Sequence, residues 1–260
     1  LAQFQGATRQ DPQWLSHMLK QMPGPNKTVK DLPDAGYARL SKGRSVIVMD
    51  TGGGGPNCAP LAINFCAGRD RLITGCGARP GWPGWDEALA RAAAHSTLDT
   101  DTDISAPQMA ACDIERQEES RAAILSAATD QYLAKLGFRH WRRLCLMEGG
   151  KDLRGEDSLE ALNYETLARA AHQKIALRFH LHPRVQASST LGGHEFWLKL
   201  PTGHFWSFRA AGPGITIALE DSVYCPDAHS RAQKTSQIVV TTVLGAAVSE
   251  PFRWSLKQVR

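Results

Sequence analysis

Several groups of residues have types and spacings that could do chemistry. His180 and His182 stand two apart in Arg-Phe-His-Leu-His-Pro, on the same face of an alternating stretch as Arg178. Two histidines at i and i+2 can both ligate a metal, and with the arginine beside them they could instead bind an acidic sugar. The same pattern suits a polar strand face hydrogen-bonded to neighbouring loops. His95 is followed at alternate positions by Asp99, Asp101 and Asp103. A divalent-metal site is one reading of that run and a solvated acidic turn the other. Asp50-Thr51-Gly52, closing the apolar run Val46–Met49, has the look of an aspartic protease loop. That chemistry needs a second such carboxylate, and the sequence holds no second copy. The remaining reading is a strand that ends in a turn, with Asp50 capping backbone amides. Gly52–Gly55 lacks the Gly-Lys-Ser/Thr and the helix that a phosphate-binding loop requires. Cys58, Cys66, Cys76, Cys112, Cys145 and Cys225 show no CxxC pair and no zinc-knuckle spacing, so they read as free thiols, mostly buried.

The element that must position His180 and His182 is Ile175–Val185. Leu177, Phe179 and Leu181 alternate with Ala176, Arg178, His180 and His182, which is a β-strand with one face on a core. Pro183 ends its ladder. Downstream, EFWLKLP, HFWSFRA, ITIALEDSVY and QIVVTTVL repeat the rhythm between Gly/Pro turns, the signature of an antiparallel sandwich or barrel. Upstream, Asp11–Gln21 reads as a capped amphipathic helix. Residues 36–49 read as a hairpin turning at Lys42-Gly43, and 59–65 with 71–75 as a second strand pair. DEALARAAA is helix-like over little more than two turns. Residues 112–147 have helix-forming composition, although FRHWRRLCLM reads better as a strand. Glu148–Asp157 reads as a polar turn, and Ser158–Ala171 as a loop or short helix.

The 260 residues are 42% hydrophobic and 22% charged, as in ordinary globular proteins. The net charge of +4 carries no Lys/Arg block of the kind that marks a nucleic-acid tail. No run of about eighteen apolar residues is present, so no helical membrane span is expected. The sequence opens with Leu rather than Met and reads as a fragment of a longer protein.

The series RLITGCG, RAAAHSTL, FRHWRRLCL, LRGEDSL, IALRFHLHP, LPTGHFWSF, LEDSVY and KTSQIVV, in that order, resembles the C-terminal β-sandwich of the heparinase II/III family. The resemblance runs from about Gly36 to Arg260. It implies a polysaccharide lyase in which an α/α-toroid and the sandwich clamp an acidic glycan and cut it by β-elimination. The uronate carboxylate must be neutralised, a base must take the C5 proton, and an acid must protonate the departing oxygen. In the family the toroid supplies most of these groups, and the sandwich supplies a His-rich loop and, in several members, zinc. His95 falls on the family's later metal-type histidine. Asn57 stands where the earlier one would be, and Thr74 or Gly75 where the aspartate would be. The resemblance therefore implies no family-type zinc site unless Asp99 or the His180/His182 face takes over. It also turns 112–147 into strands, with QYLAKLG a short excursion between two of them.

The expected fold is thus an all-β antiparallel sandwich over residues 36–260, with residues 1–35 a helical lead-in left from the toroid. The expected function is that of the C-terminal domain of a heparinase II/III-like lyase, inactive without its toroid, with acidic polysaccharide as partner and no nucleic acid. The rival is a non-catalytic glycan-binding or scaffold sandwich with a degenerate site. His95 is the catalytic candidate, Asn57, Arg91 and Arg178 the substrate-binding candidates, and His95, His180 and His182 the metal candidates. No cofactor is expected, zinc being the alternative. Trp197, Phe205 and Trp206 could stack on sugars, although alternation assigns at least half of them to the core. Export to the periplasm or cell envelope is expected by resemblance, with the cytoplasm as the alternative.

Overall fold

Alternation of inward and outward side chains builds nearly all of this protein. The computed structural model describes residues 36–52, 59–79, 81, 82, 84–102, 111–190, 193–227 and 229–259. The helix expected at 11–21, the 1–35 segment and Asn57 lie outside them. The chain begins with β1 (Tyr37–Lys42), β2 (Ser45–Asp50), β3 (Ile63–Ala67), β4 (Asp70–Thr74), helix α1 (Trp85–Ala90) and β5 (Leu98–Thr100). It continues through β6 (Cys112–Glu118), β7 (Ala122–Thr129), α2 (Leu133–Leu136), β8 (Phe138–Met147), β9 (Asp152–Ala161) and α3 (Tyr164–Ala170). Then come β10 (Lys174–Leu181), β11 (Gln186–Ser189), β12 (Glu195–Lys199) and β13 (Phe205–Ala211). The last elements are β14 (Thr216–Tyr224), β15 (Gln233–Val243), α4 (Leu244–Ala247) and β16 (Phe252–Val259).

These strands form two eight-stranded sheets, paired antiparallel throughout the named strands. The first runs β1-β2-β3-β4-β10-β15-β14 with β5 also on β10; the second runs β11-β12-β13-β16-β9-β8-β7-β6. They form the expected all-β sandwich. The core lies between the sheets and is knit by aromatic rings from both. Phe65 of β3 meets Trp206 of β13 edge-on at 5.4 Å, and Phe179 of β10 packs at 4.9 Å against both Phe208 and Trp254. The Lys42-Gly43 hairpin forms as expected, and only glycine fits at 43. It has φ 55, and a Cβ there would lie 2.6 Å from the Gly149 carbonyl oxygen.

Residues 112–147 are strands around a four-residue helix, as the family resemblance implies and their composition does not. All eight residues of β7 (AAILSAAT) are buried, so small side chains are needed on both of its faces, and they make a strand look helical. The edge strand β6 is charged, mostly exposed and bulged between Cys112 and Glu115, features that discourage pairing with another chain. The polar turn expected at 148–157 is confined to its start, and the loop or short helix expected at 158–171 holds as helix α3 (Tyr164–Ala170) but not for its first residues. Residues 152–161 form β9, a central strand between β8 and β16. Trp197 and Phe205 are exposed and only Trp206 is in the core, so fewer of the three are buried than alternation suggests. No helix among the described residues is long and apolar enough to cross a membrane.

Phe179 is fully buried at the centre of the aromatic contact. Phe179→Ala is expected to lower unfolding free energy by about 3–5 kcal/mol in a denaturant titration, and a loss under about 1 kcal/mol would contradict its central place.

Candidate functional site

Strand β10 presents Arg178, His180 and His182 at alternate positions, with the core on its other face. On one edge it pairs with β15 along nearly its whole length. On the other edge it pairs with β5 at its start and β4 at its end. The described residues between 75 and 97 leave the sheet between those two short strands and fold back over the polar face. This excursion contains α1, a single turn of 3-10 helix (Ala92–Ala94) and His95.

The excursion closes His180 in. Only 2% of its surface is exposed. Its Nε2 lies 3.0 Å from the Ala93 carbonyl oxygen, and its Nδ1 lies 2.8 Å from Ser222 Oγ and 3.5 Å from Cys76 Sγ. A carbonyl can only accept, so Nε2 carries the proton and Nδ1 accepts from Ser222. Burial, reinforced by the positive charge of Arg178, pushes the His180 pKa down to about 4. The ring is therefore neutral at physiological pH, with both nitrogens satisfied. Cys76 beside it has the residue types of a nucleophile–base pair, but burial raises the Cys76 pKa, so the thiol stays protonated and inert.

The other candidates are also engaged. Arg178 Nε donates to Asp99 Oδ2 at 2.8 Å, with Gln237 Oε1 at 3.5 Å and Glu220 Oε2 at 3.8 Å from Nη1. Asp99 is thus a partner of arginine rather than of a metal. His95 Nε2 lies 3.0 Å from the Leu89 carbonyl oxygen, and burial lowers the His95 pKa. His182 sits just past the strand end, accepts the Arg184 amide at 3.3 Å and packs edge-on to Tyr224. Arg91 is exposed and pairs with Glu87 one helical turn away. Thus His95, Arg178 and His180 come together under the excursion, whereas His182 and Arg91 stand apart. No group of three or more His, Cys, Asp or Glu among the described residues is placed to hold a metal. The residues present do not fit a family-type zinc: Thr74 directs its hydroxyl to the Gly75 carbonyl, and His95, whose Nε2 donates to Leu89 and leaves Nδ1 to ligate, is not joined by two further His, Cys, Asp or Glu side chains among the described residues. Asp50 caps amides as expected, its two carboxylate oxygens accepting from Gly52 N at 2.8 Å and Ala59 N at 3.0 Å.

Sequence reasoning missed a second polar cluster inside the sandwich. Asp157 Oδ1 accepts from His140 Nε2 and Arg142 Nε, both at 2.7 Å, and its Oδ2 accepts from Trp254 Nε1 at 2.8 Å. Arg142 Nη1 goes on to the carbonyls of Leu61 and Ser96. The spacing His140-x-Arg142 was a signal for inward polar residues on one strand face, but their partner Asp157 lay in a segment read as a turn.

Two antiparallel sheets, with a polar face roofed by an excursion of the chain, define an all-β sandwich domain. The chain belongs to the heparinase II/III-like, C-terminal family, whose model matches residues 24–255. It superimposes on heparan sulfate lyase HepC from Pedobacter heparinus with a TM-score of 0.71 at 13% identity, covering 95% of this chain and 38% of that one. It also superimposes on heparinase III with a TM-score of 0.70 at 11% identity, covering 86% and 36%. FtsZ-localized protein C of Caulobacter vibrioides is 27% identical over 98% of this chain and 48% of its own length. The chain thus spans about half the length of that curated relative.

The buried imidazole sets a pH dependence. The His180 pKa is about 4 in the folded protein against 6.5 unfolded, so folding favours the neutral ring. Its contribution is complete above pH 6.5 and is lost as pH falls toward 4, because only the unfolded chain takes up the proton across that window. The melting temperature is expected to fall over this range by about 2–4 °C for each kcal/mol lost. His180→Gln should flatten that fall in a thermal-melt series. An unchanged slope would mean that His180 is not buried neutral.

Proposed function

We propose that this domain is a heparinase-type sandwich that holds acidic glycan without contributing an acid, a base or a metal to its cleavage. The observation that carries this is the internal engagement of the residues that would do the chemistry. A general base needs a free lone pair within reach of substrate. His180 has none, and His95, whose Nε2 donates to the Leu89 carbonyl, keeps only the Nδ1 lone pair, which lies beside Gly75 in a half-buried position. A carboxylate neutraliser needs an unpaired cation, and Arg178 is already held by Asp99. In a longer protein, proton transfer would have to come from an N-terminal α/α-toroid partner, which the family resemblance supports. The cell envelope is the location that fits a glycan ligand, with the cytoplasm as the alternative.

The extent of the match to FtsZ-localized protein C supports a second reading, a scaffold that accompanies the FtsZ assembly. A fluorescent fusion of the full-length protein that concentrates with FtsZ would favour it.

Cleavage is tested on the full-length protein with a panel of uronate-containing polysaccharides, following the ultraviolet absorbance of the unsaturated uronate with and without a chelator. The expected result is no rise in either condition. A rise insensitive to chelator would restore a lyase whose acid and base lie outside this domain. A rise abolished by chelator would mean that His95 recruits further ligands and would overturn the reading that this domain supplies no acid, base or metal.

A further inference from the structure

The excursion that roofs His180 carries an arginine with no carboxylate partner among the described residues. Arg79 lays its guanidinium carbon 4.2 Å from the centroid of the Trp82 ring and 5.4 Å from that of Trp85. Trp82 is 48% exposed, so the stack stands at the surface. Arg79 makes no ion pair among the described residues, and its buried Nε has no hydrogen-bond partner. The carboxylates of α1 are committed elsewhere: Asp86 accepts the Gly81 amide at 3.0 Å, and Glu87 pairs with Arg91. By contrast Arg139, Arg154, Arg178, Arg209 and Arg253 all have carboxylate partners.

A guanidinium held over an indole face by cation–π attraction keeps an N–H edge for a second acceptor. That edge is a rigid fork matched to a planar or tetrahedral oxyanion. The indole beside it offers apolar surface to the C–H face of a sugar. We propose that Arg79 and Trp82, backed by Trp85, form a subsite for one anionic sugar residue, a uronate or a sulfated sugar. The subsite deepens the glycan-holding reading and rests on it. The fork takes the carboxylate or sulfate, Trp82 takes the ring, and no covalent step is involved.

The test is isothermal titration of the full-length protein with heparan sulfate, hyaluronan and dextran fragments, which supply sulfate with carboxylate, carboxylate alone, and neither. The wild-type protein should bind one or both acidic glycans and not dextran. Arg79→Gln and Trp82→Ala should each weaken that binding roughly tenfold or more, the worth of one charge-assisted contact, with an unchanged melting temperature. Arg169→Gln, on the exposed face of α3, should leave it unchanged. Hyaluronan binding alone would identify the carboxylate as the recognised group; heparan sulfate binding alone would identify the sulfate. Acidic-glycan binding that is indifferent to Arg79→Gln and Trp82→Ala would overturn the subsite and leave the glycan-holding reading standing. Absence of binding by the wild-type protein would overturn both. Equal weakening of dextran binding, or equal affinity for polyglutamate, would overturn the assignment to an anionic sugar.

Discussion

A single buried carboxylate holds the two sheets in register. Asp157, on β9 of the second sheet, is fully buried together with Arg142 and His140 of the neighbouring strand β8. Burial alone would raise its pKa, but the Arg142 guanidinium and the His140 hydrogen bond outweigh that and hold it at about 2. Burial keeps His140 neutral, so the cluster is one ion pair with an uncharged donor added. The pair reaches across the sandwich: Arg142 Nη1 donates to the carbonyls of Leu61 and Ser96, which belong to the loops leading into β3 and β5 of the opposite sheet. Leu61 delivers its carbonyl from a left-handed backbone conformation, φ 63, that a leucine normally avoids. Removing one member of such a buried pair costs about 3–5 kcal/mol because the other charge is left without compensation. Trp254 fills the remaining oxygen of Asp157 and covers Gly155, where a Cβ would lie 2.0 Å from the indole.

Ser96 carries that constraint to the face where chemistry was expected. Its carbonyl receives Arg142, its hydroxyl donates to the Thr74 carbonyl at 2.7 Å, and the same hydroxyl oxygen accepts the His180 amide at 2.9 Å. The excursion 75–97 is therefore fastened at its return by the sandwich interior. Because that return is fixed, the Ala93 carbonyl sits over the His180 ring, and His180 becomes part of the structure instead of a surface acid or base. The polar face of β10 and the polar cluster in the core form one connected network through Ser96, although His140 Nδ1 and Arg142 Nη2 are buried without a hydrogen-bond partner. What the excursion leaves outward is the aromatic and cationic tip at Arg79 and Trp82.

The fold was legible wherever one strand face is uniformly apolar. Leu177, Phe179 and Leu181 on β10, and Phe196 and Leu198 on β12, show the two-residue period without interruption. Strand β9 hid because its inward positions are Leu153, Gly155, Asp157 and Leu159. Two of these are non-apolar for reasons that exist only after folding: an indole occupies the space above the glycine, and the aspartate serves two other strands. Strand β7 hid for a different reason. Burial on both faces selects alanine and serine, whose local preference is helical or neutral. Trp197 and Phe205 misled in the opposite direction, since their strands alternate correctly but direct these rings outward.

The candidate site was legible as residue types and not as roles. The single-sequence pattern places Arg178, His180 and His182 on one face, which is correct. It cannot show that Asp99 lies 79 residues from Arg178 in sequence yet 2.8 Å away in space, or that Ala93, 87 residues from His180, caps its ring. A partner that distant decides whether a polar residue is reactive or inert, because both the pKa shift and the loss of a free lone pair come from it. The same logic separates the arginines. Some on the strands have carboxylates brought to them by the register of the sheets, as Glu156 is brought to Arg253 across β9 and β16. Arg79 lies on an excursion where no register operates, and among the described residues its charge is met by aromatic rings. A cation held by an aromatic face keeps its hydrogen-bonding edge for another molecule, and at this point the architecture turns from internal satisfaction to recognition.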